Sequence, residues 1–450
     1  MEVAPAGVVT RRTIDDVEMS PFLRKVVLFS SGGSFLDGYA LSIIGVALVQ
    51  LGPALGLTST DQALIGAASL AGIFAGSLLA GRLTDGLGRR TMFILDVTAI
   101  GVASLASVFI ATAWQLVVLR LLLGFFVGAD YPIATSLITE FVPRRARATG
   151  MGLVSIAWYV GATAAAFVGF ALVDVAQGWR WMLGSAVLPC LFLLVGRRDI
   201  PESPRWLARR GRLEAARSTV HRVYGEDVEL DDEEPVKTRF AAVFRAGYAR
   251  RVVYLGVLIL CQVVPMYAMY TFGPQILEAF GLGSDRMSIL GEALISVFFI
   301  IGSVPAMFWL NSLGRRPLLI GSLALMAVGL LIPGVAPAAP AAVIVVAFGI
   351  YAFFSGGPGI LQWLYPNELF PTEIRATAVG VAIALSRIGV VVSTDGLPLF
   401  MAAFGVGPTM LVGAGLLLVA LVWSIVDAPE TRHLTLTEAS ALTSREQGRQ

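Results

Sequence analysis

The chain is poor in charge. Asp, Glu, Lys and Arg together make up 14% of its 450 residues, against roughly 25% in a typical soluble domain. Histidine is limited to His221 and His433, and cysteine to Cys190 and Cys261. Two cysteines inside apolar segments give neither a disulfide framework nor metal-ligand spacing. The two histidines lie in polar stretches without further ligands nearby, so they read as solvated side chains rather than a zinc site. No Gly-rich loop carries the lysine that would cradle phosphates, so direct drive by ATP is not expected. No nucleophile and base stand together in a recognisable setting, so the chain does not read as an enzyme. What fills it is apolar: 56% of residues are hydrophobic. A soluble fold of this size could not hide so much apolar surface, whereas a bilayer can.

Apolar runs of about 20 residues, the length that crosses a hydrocarbon core of about 30 Å, fall near 26–51, 62–80, 91–112, 115–138, 148–172, 180–196, 252–279, 288–310, 317–335, 341–365, 376–399 and 405–427. Their length argues for helix, because lipid offers no partner to unpaired backbone groups. The expectation is an all-α membrane protein with twelve transmembrane helices. The net charge of +2 says little, but its placement is informative. Arg89, Arg90, Arg144, Arg145, Arg147, the arginines of 197–251, Arg315, Arg316 and Arg375 all fall between runs on one side, whereas the other side carries little beyond Arg180 and Arg286. The positive-inside bias then makes both termini and the long middle stretch cytoplasmic. Residues 1–24 lack the short apolar core of a cleaved signal peptide.

The chain also repeats itself. Glu140-Phe-Val-Pro143-Arg-Arg-Ala-Arg147-Ala-Thr returns 228 residues later as Glu368-Leu-Phe-Pro371-Thr-Glu-Ile-Arg375-Ala-Thr, and Pro201-Glu202 returns at the same offset as Pro429-Glu430. Gly88-Arg89-Arg90 returns after 226 residues as Gly314-Arg315-Arg316. Such periodicity marks a duplicated architecture. The expected organisation is a tail over 1–24, a six-helix bundle over 25–196, a connecting stretch over 197–250, a second six-helix bundle over 251–428 and a tail over 429–450. Within the connection, 203–222 reads as one amphipathic helix on the membrane surface, and Asp231-Asp232-Glu233-Glu234 reads as a solvated spacer. A site between two repeats can face either side as one half rocks against the other, which is the design of secondary transporters.

Gly81-Arg-Leu-Thr-Asp85-Gly86-Leu-Gly88-Arg89-Arg90 follows the second run. Its glycines permit a tight turn, Asp85 suits a helix N-terminus, and the arginines can reach carboxylates at neighbouring helix ends. The string resembles the signature loop of the major facilitator superfamily, with an echo at 311–317. Pro201-Glu-Ser-Pro-Arg-Trp206-Leu, Glu368-Leu-Phe-Pro-Thr-Glu-Ile-Arg375 and Pro429-Glu-Thr-Arg432 resemble segments that follow the sixth, tenth and twelfth helices of its sugar porter branch. The resemblance implies a cytoplasmic ion-pair lattice: Asp85, Arg89, Arg90, Glu140, Arg147 and Glu202 in the first half, and Arg315, Arg316, Glu368, Arg375 and Glu430 in the second. Such a lattice would hold the inside closed in the outward-facing state and part when the cavity opens inward. It also implies a monomer with no nucleic-acid partner.

Ionisable groups within a span cost about 2.5–3.5 kcal/mol on insertion scales, so each is a functional suspect. They are Asp37 in the first run, Arg120 and Asp130 in the fourth, Glu292 in the eighth, and Arg387 and Asp395 in the eleventh. A carboxylate in a dry cavity titrates nearer neutrality and is pulled back by a nearby arginine, and alternating access can vary both effects. Proton-coupled sugar porters place an acid of the first helix opposite an arginine of the fourth, and Asp37 and Arg120 match those positions. Gly-Ala-Asp130-Tyr131-Pro132 is closer to phosphate:proton symporters and bacterial metabolite transporters than to typical sugar porters, and Asp130 and Tyr131 are counted among the candidate substrate contacts. Gln262 matches a sugar-contacting glutamine, Tyr267 replaces the asparagine expected five residues on, and Trp363 occupies the place of a tenth-helix tryptophan. Arg387 and Asp395 lie about 12 Å apart along one helix, so Arg387 suits a carboxylate and Asp395 a cationic group or hydroxyl.

The sequence therefore reads as a proton-coupled symporter taking up a small polar metabolite such as a sugar, polyol or organic acid, with no cofactor and the proton gradient as driving force. Export by proton antiport, phosphate:proton symport and a non-transporting membrane sensor are the alternatives. With 31 arginines and two lysines, the composition points to a G+C-rich bacterial genome and so to the bacterial cytoplasmic membrane.

Overall fold

Apolar runs that must satisfy their own backbone fold as helices. A computed structural model of the chain describes residues 12–14, 17–225, 228–229, 248–281, 285–370 and 372–432. The side chains of Asp85, Tyr131, Trp363, Arg375 and Asp395, together with the acidic run 231–234 and His433, lie outside the described residues.

The first half holds α1 (Pro21–Leu55), α2 (Ser59–Leu87), α3 (Arg89–Ser107), α4 (Ala113–Phe141), α5 (Arg144–Leu172), and α6 (Gly178–Gly184) continued by α7 (Val187–Arg197). The second holds α10 (Ala249–Ala279), α11 (Asp285–Ser312), α12 (Arg315–Val335), α13 (Ala341–Phe354) continued by α14 (Gly356–Leu369), α15 (Thr372–Phe404) and α16 (Val406–Asp427). Among the described residues ten helices are long and apolar enough to cross a bilayer, and the pair Ala378–Thr394 and Gly396–Phe404, bent by 42°, makes an eleventh span. The run 62–80 falls in α2, a helix of 29 residues, so all twelve expected runs lie on helices. Their outward faces expose Leu28, Val102, Phe109, Leu188, Phe192, Phe308 and Val422. An apolar belt of this extent is a lipid-facing surface, and the chain is an integral membrane protein.

Between the halves the expected single amphipathic helix is two helices, α8 (Pro204–Arg209) and α9 (Leu213–Tyr224). Gly211, at φ +74°, breaks the run between them, a left-handed turn that glycine takes without steric cost. Ile14, Val220 and Val228 form a small core there, and Arg12–Thr13 (β1) pairs in parallel with Val228–Glu229 (β2). The N-terminal stretch is thereby tied to the connection.

The duplication is visible in the packing. α1 packs on α5 as α10 packs on α15, and α3 packs on α7 as α12 packs on α16. The halves meet through α1 against α10, α2 against α15 and α5 against α11. α10 is kinked at Phe272, whose φ of −130° is not helical. Pro274 removes the N–H that would bond the Tyr270 carbonyl and crowds that carbonyl.

Candidate functional site

The first half buries a cluster of four ionisable side chains. Arg197 ends α7 and is 0% exposed. Its guanidinium lies 3.4 Å from the centroid of the Phe93 ring and donates to the carbonyl oxygens of Phe93 at 2.5 Å and Phe29 at 3.2 Å. It also bridges Asp96 of α3 at 3.2 Å and Asp130 of α4 at 3.4 Å. Asp37 of α1, likewise 0% exposed, lies in the electrostatic field of Asp130, Asp96 and Arg197. Neither Asp37 oxygen has a hydrogen-bond partner, and the Oδ2 atoms of Asp96 and Asp130 also lack one. One guanidinium can balance one of three carboxylates. An unbalanced charge in so dry a place is costly, and this cluster holds more carboxylates than its one guanidinium can pair.

The expected pairing of Asp37 with Arg120 is not formed. Arg120 reaches α1 one turn further along and donates to the carbonyl oxygens of Ala40 at 2.6 Å and Leu41 at 3.5 Å. These carbonyls take the two Nη groups in place of the carboxylate, and Nε is left without a partner. Asp130, expected among the substrate contacts, is held by Arg197 instead. Asp96 and Arg197 were not singled out in the sequence. Asp96 is the sole charge in the run 91–112, a signal that was there to find. Arg197 reads as the first charge of the connecting stretch, and only the packing of α7 against α3 takes it inside.

A second group of side chains gathers where the halves meet. Arg387 of α15 donates from Nη1 to the Tyr267 hydroxyl of α10 at 3.3 Å, with its guanidinium carbon 5.6 Å from that ring's centroid. Gln262, one and a half turns earlier on α10, is buried with both amide atoms unpartnered. Trp158 and Tyr159 of α5 complete the wall: Trp158 packs on Tyr267 at 6.1 Å and on Tyr270 at 5.0 Å between ring centroids. The expected residues Tyr267 and Arg387 thus come together at the interface, with Gln262 buried on the same helix as Tyr267.

The lattice residues assemble at the arginine-rich ends of the helices, twice over. Arg89 Nε lies 3.4 Å from Glu140, and Arg315 Nη2 lies 2.9 Å from Glu368. Arg90 Nη2 donates to the Arg198 carbonyl at 3.0 Å, as Arg316 Nη2 does to that of Ile425 at 2.9 Å. Arg147 Nε donates to the Val142 carbonyl at 2.9 Å. Glu202 and Glu430 differ from expectation, because they accept backbone N–H groups. Glu202 takes those of Arg89 at 2.8 Å and Arg90 at 3.1 Å, and Glu430 those of Arg315 at 3.1 Å and Arg316 at 3.0 Å. Each caps the positive N-terminus of a helix. Gly88 at φ +103° and Gly314 at φ +101° make room for these carboxylates; a Cβ on Gly314 would stand 2.6 Å from Glu430 Oε2. A twin pair that the sequence repeats did not reveal is Lys25–Asp199 with Arg250–Asp427, each at 2.6 Å.

At the opposite end the halves are in close contact. A Cβ on Gly45 of α1 would lie 2.8 Å from the carbonyl oxygens of both Tyr270 and Thr271 of α10, so only glycine allows this approach. Gln275 Nε2 donates to the Gly45 carbonyl at 3.3 Å, and Arg286 forms an ion pair with Asp174 across the halves.

Two six-helix halves, a shared central site and ion pairs repeated at one end define a membrane carrier of the major facilitator type. Residues 25–442 match the family described as sugar (and other) transporter, and the chain belongs to that family, whose members are transporters and not enzymes. It is 51% identical to YaaU of Escherichia coli K12, covering 97% of this chain and 98% of that protein. It is 35% identical to the inner membrane metabolite transport protein YgcS of the same organism, covering 95% and 96%. The xylose transporter XylE from E. coli, in a partially occluded inward-open conformation, superposes with a TM-score of 0.79 at 21% identity, covering 92% of this chain and 100% of XylE. That likeness shows the fold.

Proposed function

We propose that the chain is a proton-coupled symporter that takes up a small polar metabolite by alternating access in the bacterial cytoplasmic membrane, its arginine-rich ends and both termini facing the cytoplasm. The observation that carries this reading is the buried cluster of Asp37, Asp96 and Asp130 around the single guanidinium of Arg197. The second half supports it by contrast. At the repeat offsets of 226 and 228, the positions matching Asp96, Asp130 and Arg197 are Ser322, Pro358 and Ile425. A cluster serving the fold alone would be expected in both halves, as the lattice pairs are. XylE, similar in fold, is a proton:xylose symporter.

Asp37 has no hydrogen bond to lose and sits on α1, whose contact with α10 at Gly45 closes one end of the site. Rocking of α1 away from α10 admits water to Asp37 and lets it exchange a proton. Closure returns it to the field of Arg197 and the other two acids. Gln262, Tyr267 and Arg387 offer hydrogen bonds to the substrate on the facing half. No cofactor enters the cycle, and one chain contains all its parts.

The test is substrate-triggered proton uptake in proteoliposomes with a luminal pH dye, screening sugars, polyols, organic acids and amines. A substrate should acidify the lumen with wild type and fail to do so with Asp37→Asn. Accumulation without proton movement, or equal acidification by the variant, would leave a facilitator and remove Asp37 from the coupling step.

A further inference from the structure

Glu292 of α11 takes no part in the proton cluster or the lattice. It is 2% exposed, lies within a span, and neither carboxylate oxygen has a hydrogen-bond partner. Arg197 accompanies the acids of the first half, but among the described residues no cation pairs with Glu292: the nearest arginine along its helix, Arg286, is at the exposed end and paired with Asp174. The helices are brought together around it. A Cβ on Gly273 of α10 would stand 2.7 Å from Glu292 Cγ, so the chain keeps the position bare to admit this side chain.

The surroundings are aromatic and come from both halves. Tyr270, one turn before Gly273 on α10, feels the Glu292 charge. Its ring packs on Phe299 at 5.1 Å and on Trp158 at 5.0 Å, and Phe299 packs on Tyr351 of α13 at 5.9 Å. Phe299 follows Glu292 by seven residues, two turns on the same face of α11. The Tyr351 hydroxyl is buried without a partner, and the Tyr270 hydroxyl lies beside Ser296. A dry carboxylate, ring faces rich in π electrons and an unused hydroxyl together lack one thing, a cation with N–H or alkyl groups to place among them. A neutral sugar would leave the carboxylate uncompensated.

Resting on the transporter reading above, we propose that Glu292, with Tyr270, Tyr351, Phe299 and Trp158, receives a protonated amine of the substrate. The transported class is then a small hydroxylated amine or zwitterion. Any carboxylate on it would turn toward Arg387, whose Nε is buried and unpartnered.

The test is equilibrium binding to the purified full chain in detergent, read by tryptophan fluorescence and thermal shift. Glucosamine, ethanolamine and choline are compared with glucose and myo-inositol. At least one amine should bind, with glucose at least ten-fold weaker than glucosamine. Glu292→Gln should weaken the amine at least ten-fold, and Lys25→Met, which touches only a surface ion pair, should leave it within two-fold. Tyr351→Phe, which removes only an oxygen, should weaken it measurably and guards against a folding defect in the first variant. Glucose binding as well as glucosamine, no response to any amine, or amine binding unchanged in Glu292→Gln overturns the proposal. The last result is also what a carboxyl serving only as a second proton site would give. Because this assay involves no proton movement, its failure leaves the coupling by Asp37 to be decided separately in the proteoliposomes.

Discussion

Arg197 shows how one side chain is fixed by everything around it. Its two Nη nitrogens are spread over two carbonyls and two carboxylates, its Nε is left without a partner, and its flat face covers Phe93. Removing one partner from a buried ion group costs about 3–5 kcal/mol, because the other charges are left uncompensated. Arg197→Met should therefore lower the melting temperature in detergent by many degrees; a shift of a degree or less would mean the cluster is not held by this charge. Gly33 makes a sharper probe, since its Cβ would stand 2.6 Å from both Asp130 Oδ1 and Arg197 Nη2. Gly33→Ala should abolish proton-coupled uptake while the protein still elutes as a single species from gel filtration. At the surface the same chemistry is weak. Lys25, by its hydrogen bond and charge, holds the Asp199 carboxyl below its ordinary value. A lowered carboxyl value stabilises the fold above the unfolded value of about 3.9 and loses that contribution as pH falls through the lowered one. Lys25→Met should therefore melt slightly below wild type at pH 7, and the two curves should converge as pH falls below the ordinary carboxylate range.

At the scale of the element, α3 and α12 begin alike: a glycine of positive φ, two arginines, and a carboxylate from a distant segment on the first N–H groups. The first four N–H groups of a helix have no partner within it, and a cap of this kind is worth about 1 kcal/mol. Loss of it should speed local amide exchange roughly five-fold. Hydrogen–deuterium exchange should find the start of α3 faster in Glu202→Ala alone, and the start of α12 faster in Glu430→Ala alone. Exchange rising at both helices in either variant would mean that the caps hold the halves together rather than each helix end. The kink of α10 is a second element-scale device. Pro274 frees the Tyr270 carbonyl at the point where α1 comes closest, so that end of the site closes on backbone rather than on bulky side chains.

At the scale of the whole molecule, the halves touch at the end away from the arginines through Gly45, Gln275 and the pair Arg286–Asp174, and alternating access requires these contacts to part. Asp174→Cys with Arg286→Cys, joined by a short thiol cross-linker, should stop uptake by more than ten-fold, and a reducible linker should restore it on addition of a thiol. Cys190 and Cys261 are buried and should not react. Undiminished transport by the cross-linked protein would show that the two sides do not separate here.

The sequence by itself determined the class of fold and its symmetry. Long apolar runs admit no backbone but helix in lipid, and Gly88-Arg89-Arg90 and Glu140 carry their partners' identities in the repeats Gly314-Arg315-Arg316 and Glu368. It also marked Asp37, Asp130, Glu292 and Arg387, because a charge inside a run is conspicuous one residue at a time. Which charges meet was decided only by the tertiary structure. Arg197 sits at a run's edge, and whether it snorkels outward or turns in toward Asp96 and Asp130 depends on how α7 packs against α3 and α1. Arg120 and Asp37 lie on helices that do touch, yet carbonyls one turn away claimed the guanidinium. Charge–charge distance falls out of three-dimensional packing, and no spacing along the chain encodes it.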